Sequence, residues 1–189
     1  MNTQVTDDVR AAVKSFQLPA FQAIPDVGLF LDQTVRYINE YLYPLPDDAL
    51  LTPSMITNYV KQGLIPKPEK KRYHRSQIAL LICIALSKPF LSLRHIARLR
   101  KSIMESGDAG NAYEFFREEL THAMDHVFGT SQAPVPQIDA LDGTKSLVSS
   151  VTMMIAYKIF INLYCQALER DDPDGHTKGT GDTGKTAQP

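Results

Sequence analysis

The sequence predicts a mainly α-helical protein, in which a cluster of short helices at 28–104 precedes a two-helix C-terminal part at 111–170. Two observations predict it. Apolar residues recur at three- and four-residue steps through most of the chain, as one buried face of a helix requires. Between those stretches stand the residues that start and stop helices: hydroxyl–proline pairs, single glycines and prolines. A chain of 189 residues with 43% hydrophobic content buries roughly two-thirds of the surface it exposes when unfolded, which excludes a wholly disordered protein.

Residues 1–27, interrupted by Pro19 and Pro25, read as a lead-in with one short helix and irregular chain. From Val27 to Tyr43 the spacing is helical, with Leu29/Phe30, Val35, Ile38 and Leu42 on one side, until Pro44 and Pro46 stop it. Thr52-Pro53-Ser54 starts a second helix: the hydroxyl accepts an orphan amide, and proline at the first helical position has no N–H to lose. That helix ends at Gly63, the residue best suited to a left-handed C-terminal turn. Pro66 to Tyr73, with two prolines and the cations Lys70, Lys71 and Arg72 in succession, is an exposed loop or small β-ribbon. A third helix, Ser76 to Ser87, carries the apolar run Ile78–Leu86 and is largely buried. Ser92 caps a fourth with Leu93, Ile96, Leu99 and Ile103 inward. After a hinge at 105–111, Tyr113–Phe128 is amphipathic, 129–142 is linker, and Ser146–Leu168 is a long apolar helix. Residues 171–189 hold no large apolar side chain and are expected to be a disordered tail.

Charge is concentrated. Residues 52–104 carry eleven Lys/Arg against the single acid Glu69, a local net charge of +10 in a chain of net charge −1. A neutral protein with one basic block is expected to present it to a polyanion.

Three other signals carry less. Gly179–Thr186 matches GxxxxGK[ST], but a phosphate-binding loop must follow a buried strand and open a helix, and only Ala187-Gln188-Pro189 come after it. Ser146–Leu168 is long enough to span a bilayer, yet it carries Lys158, Asn162 and Gln166 at four-residue steps, so a bundle or dimer interface is the reading and no membrane is expected. His122 and His126 share a helix face and the nearby acids Glu118, Glu119 and Asp125 could contribute ligands, but the HExxH pattern is missing and such pairs are usually only solvated, so no metal is assigned. The acids are scattered, and no catalytic constellation or cofactor motif stands out; the protein is not expected to be an enzyme. Cys83 and Cys165 lie in apolar runs and read as buried, reduced thiols. With no secretion signal at the N-terminus, they point to the cytoplasm.

The stretch 51–100 is informative. Within Pro53–Gln62, Ile56, Tyr59 and Val60 turn inward while Ser54, Thr57, Asn58 and Lys61 face out. A short helix with such a polar face, preceded by another helix, is what a helix-turn-helix places in the major groove. Lys70, Lys71, Arg72 and Arg75 would hold phosphates, which set affinity and register rather than sequence preference. Tyr73 would either pack the loop or bond a phosphate.

At these residues a resemblance enters. Gly63-Leu64-Ile65-Pro66, Lys71 with Tyr73, and Leu91-Ser92-Leu93-Arg94-His95-Ile96 are similar to the end of the recognition helix, the wing and the start of the fourth helix in MerR-type transcription regulators. Leu31-Asp32-Gln33, Thr52–Lys61 and Lys67–Tyr73 resemble a bacterial family, the domain of unknown function numbered 1836, and the likeness covers about residues 15–105. The first resemblance implies a winged helix-turn-helix at 28–104 followed by a C-terminal two-helix dimerisation and effector part, and a dimer that binds and distorts operator DNA. The second implies the same fold without a known ligand. The chain departs from the MerR pattern at Asn58 (an aromatic there), His74 (a serine) and Arg94-His95 (acids). The expected function is a sequence-specific regulator of transcription that binds double-stranded DNA as a homodimer on a pseudo-palindromic site. A small-molecule effector would bind in the C-terminal part, where no residue identifies it. The alternative is a non-enzymatic adaptor that turns the same basic fold toward an acidic protein.

Overall fold

The computed structural model describes residues 16–42, 45, 49–106, 108–129 and 143–171, with the backbone alone at 102–106 and 171. Among them are six helices and one two-stranded sheet: β1 (Leu29–Phe30), α1 (Leu31–Leu42), α2 (Pro53–Lys61), β2 (Arg72–Tyr73), α3 (Arg75–Ser87), α4 (Leu93–Ser106), α5 (Ala109–Val127) and α6 (Gly143–Asp171). A single 3₁₀ turn, Phe21–Ala23, precedes them. The protein is mainly helical, as its apolar spacing predicts.

The punctuation residues that are described act where expected; Pro44 and Pro46 lie outside the described residues. Thr52 Oγ1 accepts from Met55 N–H at 3.3 Å with Pro53 opening α2, and Gly63 takes φ +70° just beyond the helix. Ser92 Oγ accepts from His95 N–H at 3.3 Å ahead of α4. The linker before α2 is closed by Asn39 of α1, whose amide exchanges two 2.9 Å hydrogen bonds with the backbone of Leu51. At the start of α3, Gln77 Oε1 accepts from His74 N–H at 2.8 Å and Asp26 Oδ1 accepts from Arg75 N–H at 3.2 Å. The carboxylate there also complements the positive end of the helix dipole.

Three elements differ from expectation. The first long helix starts at Leu31, not Val27, because Leu29 and Phe30 pair antiparallel with Tyr73 and Arg72. Gly28 makes that pairing feasible: it sits at φ +76°, and a Cβ there would stand 3.0 Å from Arg72 Cβ. The hinge at 105–111 is shorter than expected, since α4 runs to Ser106 and Asp108 caps α5 by accepting from Gly110 and Asn111 N–H at 2.6 and 3.0 Å. Cys165 is exposed rather than buried, because it lies on the face of α6 that also exposes Ile161 and Leu168, and Cys83 is only partly buried. The expected linker at 130–142, the lead-in before residue 16, the tail from 172 and the phosphate-loop match at 179–186 lie outside the described residues.

Helix α3 is the axle. Nine of its 13 positions are buried, and it packs against α1, α5 and α6. Ile38, Ile56, Ile78, Leu81 and Ile82 are solvent-inaccessible, and Tyr113, Phe116, Val148, Val151 and Ile155 extend the same core into α5 and α6. The lead-in is tied to α5: Tyr113 Oη donates to Pro19 O at 2.8 Å, and Phe21 N–H donates to Glu114 at 2.5 Å. Burial alone raises the Glu114 carboxyl, but the bonds from Phe21 and Arg117 outweigh it and hold the group below its ordinary value.

Helix α6 is, by length and composition, able to cross a membrane, and 44% of its apolar window is buried inside the protein. Val148, Val151, Ile155, Ile159 and Leu163 face the core, while Leu147, Met154, Tyr157, Ile161 and Leu168 are exposed on the other side. The two thiols should therefore differ in reactivity. Burial pushes the Cys83 thiol up to about 12, so it stays protonated at neutral pH and is a poor nucleophile. Iodoacetamide at pH 8 is expected to label Cys165 much faster than Cys83, as peptide mass mapping would show; equal labelling of both would contradict the raised Cys83 thiol.

Candidate nucleic-acid interface

Helix α2 owes its shape to a division between two faces. Ile56 and Tyr59 are buried, whereas Ser54, Thr57, Asn58 and Lys61 are all exposed. Their i, i+3, i+4, i+7 spacing places the four in one stripe. Their hydrogen bonds are local: Ser54 Oγ lies 3.0 Å from Thr52 Oγ1, Thr57 Oγ1 donates to Pro53 O at 2.9 Å, and Asn58 Oδ1 accepts from Gln62 Nε2 at 3.3 Å. Such bonds are exposed and exchange readily for contacts with a partner. Asn58 carries one donor and one acceptor side by side, the pair that fits the major-groove edge of adenine.

Lys70 and Lys71 lie beyond the far end of this helix, at the tip of a turn. Arg72 N–H donates to Glu69 O at 2.8 Å, closing a two-residue loop whose central residues have φ of 47° and 65°. Positive φ at both central positions is the type I′ pattern, which Asn-Gly adopts easily. Two lysines in the left-handed region are strained by roughly 1 kcal/mol each. Both side chains are exposed.

The remaining predicted phosphate contacts are engaged elsewhere. Arg72 Nη1 donates to Gly28 O at 3.1 Å, and its guanidinium lies 4.4 Å from the centre of the Phe30 ring. Arg75 Nε donates to Ile24 O at 2.9 Å and Nη1 to Gln22 Oε1 at 2.7 Å, with the Phe21 ring 5.7 Å away. These arginines staple the lead-in onto β2 and α3. Tyr73 is 4% exposed and pairs with Leu29, so its ring packs the small sheet. Burial pushes its phenol above the ordinary value.

Sequence reasoning missed Gln22, Asp26, Gly28 and Phe30. The run Pro25-Asp26-Val27-Gly28 is a turn signal, and it marks where the lead-in folds back. Arg75→Ala is expected to lower stability by about 2 kcal/mol, since two guanidinium hydrogen bonds are lost. Chemical denaturation would read that loss, and a change below a few tenths of a kcal/mol would contradict the staple.

Residues 19–118 match the family model described as Domain of unknown function (DUF1836). The chain belongs to that family. No curated protein and no solved structure matches it. The DUF1836 span begins at Pro19, the acceptor of the Tyr113 hydroxyl, and ends within α5. The family unit thus includes the lead-in and its staples as well as α2 and the basic turn. Among the described residues no cluster of His, Cys, Asp and Glu is arranged to hold a metal ion.

Proposed function

We propose that this DUF1836 protein is a sequence-specific DNA-binding regulator of transcription with a MerR-like winged helix-turn-helix. On this reading α2 is the recognition helix and the turn at 69–72 is the tip of the wing. One observation carries the proposal. The exposed stripe Ser54-Thr57-Asn58-Lys61 and the exposed pair Lys70-Lys71 lie in one 53-residue span, 52–104, of net charge +10. The stripe supplies groups that read base edges, and the pair supplies cations for phosphates.

The protein acts as a homodimer through α6. Leu147, Met154, Ile161 and Leu168 recur every seven residues on its exposed face, with Ser150, Tyr157 and Tyr164 at the intervening three-residue steps. A 3.5-residue apolar period on a face turned away from its own core is what a second helix of like pattern covers. Two copies related by a two-fold axis present two recognition helices to a pseudo-palindromic site.

The test is an anisotropy titration of the full chain with genomic DNA fragments at two salt concentrations, followed by selection of bound sequences. Binding should weaken steeply with salt, and Asn58→Ala should relax preference at one base position by about 1–3 kcal/mol. A folded protein that ignores every fragment in dilute buffer overturns the reading and favours an acidic protein partner.

A further inference from the structure

A cavity of about 160 Å³ opens between α3, α4 and α5, with the start of α6 at one side. Its wall is almost entirely apolar: Leu80, Cys83 and Ile84 of α3, Leu99 of α4, Ala112 and Phe116 of α5. A volume of about 150 Å³ with such a lining is enough for a benzene-sized guest. Arg100 also lines it. The Arg100 guanidinium is half committed. Its Nη1 donates to Gly63 O at 3.2 Å, while its Nε is buried and has no hydrogen-bond partner. A buried N–H left without an acceptor is destabilising. Nε and Nη2 form the edge of the guanidinium opposite Nη1, and that edge takes a carboxylate through two parallel hydrogen bonds.

We propose that this cavity binds a small organic acid, with a flat or branched apolar body of about six to eight heavy atoms inside and the carboxylate on the Arg100 guanidinium. The guanidinium is the one charge in the lining and answers the acid's carboxylate, while the body fills space that is otherwise empty. Serine hydroxyls at 76 and 87 also line the cavity, but no second charged side chain does, so a single anionic group is what the site accommodates. Arg100 also holds the carbonyl of Gly63, the residue that ends α2. A ligand that draws on the same guanidinium therefore acts on the end of that helix. This last consequence rests on the DNA-binding reading; occupancy of the cavity does not.

The experiment uses the full chain and three probes: benzoate, the neutral isostere benzyl alcohol, and acetate, which has a carboxylate but no body. Binding is read by calorimetry and by ligand-observed NMR, without DNA, on the wild type, Arg100→Gln and Ala112→Leu, each first shown to melt cooperatively. Ala112→Leu fills the cavity, and Arg100→Gln removes the charge. Benzoate is expected to bind saturably, tenfold or more tighter than benzyl alcohol, and to lose at least tenfold in each variant, while acetate shows no saturable binding. No saturable binding of benzoate by the wild type overturns the proposal. Loss in Ala112→Leu alone assigns the cavity to neutral guests and overturns the acid. Loss in Arg100→Gln alone, or in neither variant, overturns the cavity as the seat. Because no DNA is present, none of these results bears on whether α2 reads bases.

Discussion

On the proposed DNA-binding function, replacing Lys70 and Lys71 by glutamate is expected to abolish most of the affinity for duplex DNA while leaving the fold intact. Both side chains are exposed at the tip of the turn, so the change removes no packing. If each lysine neutralises one phosphate, the affinity scales as salt to the power of about −0.9 per contact; two contacts are then worth about 60-fold at 0.1 M salt, and the slope falls by about 1.8. Charge reversal adds repulsion on top of that loss. A second variant separates charge from backbone. Lys70→Asn with Lys71→Gly places the residues that a type I′ turn favours at φ values of 47° and 65°. Relief of strain, less the greater unfolded-state freedom of glycine, is expected to raise stability by about 1 kcal/mol, which is about 3 °C in Tm for a chain of this size. The same variant should lose the two-contact share of DNA affinity. A protein that becomes more stable yet binds more weakly shows that the strained lysines serve the partner rather than the fold. An unchanged salt slope in both variants would remove the turn from the interface.

The contrast with Arg72 and Arg75 shows where the sequence stops being legible. All four cations belong to one run and look alike by composition. What divides them is reach and shape: the arginine fork finds acceptors at Ile24 and Gly28 and rings at Phe21 and Phe30, more than forty residues earlier in the chain. The lysines sit at the turn tip, where neither of those partners is at hand. No local pattern announces such distant pairings, and the same holds for β1, whose two residues are defined only by β2. Where the signal is local it is readable. Thr52-Pro53, Gly63 and Ser92 each bound a helix as their capping chemistry dictates, and the inward and outward faces of α2 follow from its spacing. The cavity is the extreme case of the unreadable. It is the gap left where α3, α4 and α5 pack side by side beside the start of α6, and no periodicity marks a void.

With α6 as the proposed dimer seam, the largest effect on assembly is expected from Met154→Glu with Ile161→Glu. These residues occupy consecutive heptad positions on the exposed face of α6, at 46% and 57% exposure. The opposite face, through Val151, Ile155 and Ile159, holds α6 against the core and is untouched. Within one copy the substitutions are therefore nearly neutral. Across a two-fold seam they set carboxylates into an apolar layer, where unpaired charges cost several kcal/mol. Light scattering should show the mass fall from twice 21.1 kDa to 21.1 kDa, with the helical circular dichroism retained. Leu at both positions keeps the apolar layer and should keep the dimer. On a pseudo-palindromic site the monomer loses the second, effectively intramolecular contact, so DNA affinity should fall by about 10²–10⁴-fold without any change in the recognition helix. Half-site binding by the monomer should keep the base preference of the wild type, because Ser54, Thr57, Asn58 and Lys61 are unaltered. A glutamate variant that still runs at twice the monomer mass would place the self-association surface elsewhere. One that becomes monomeric yet keeps full affinity would show that one recognition helix suffices, and that the period-seven stripe serves assembly alone.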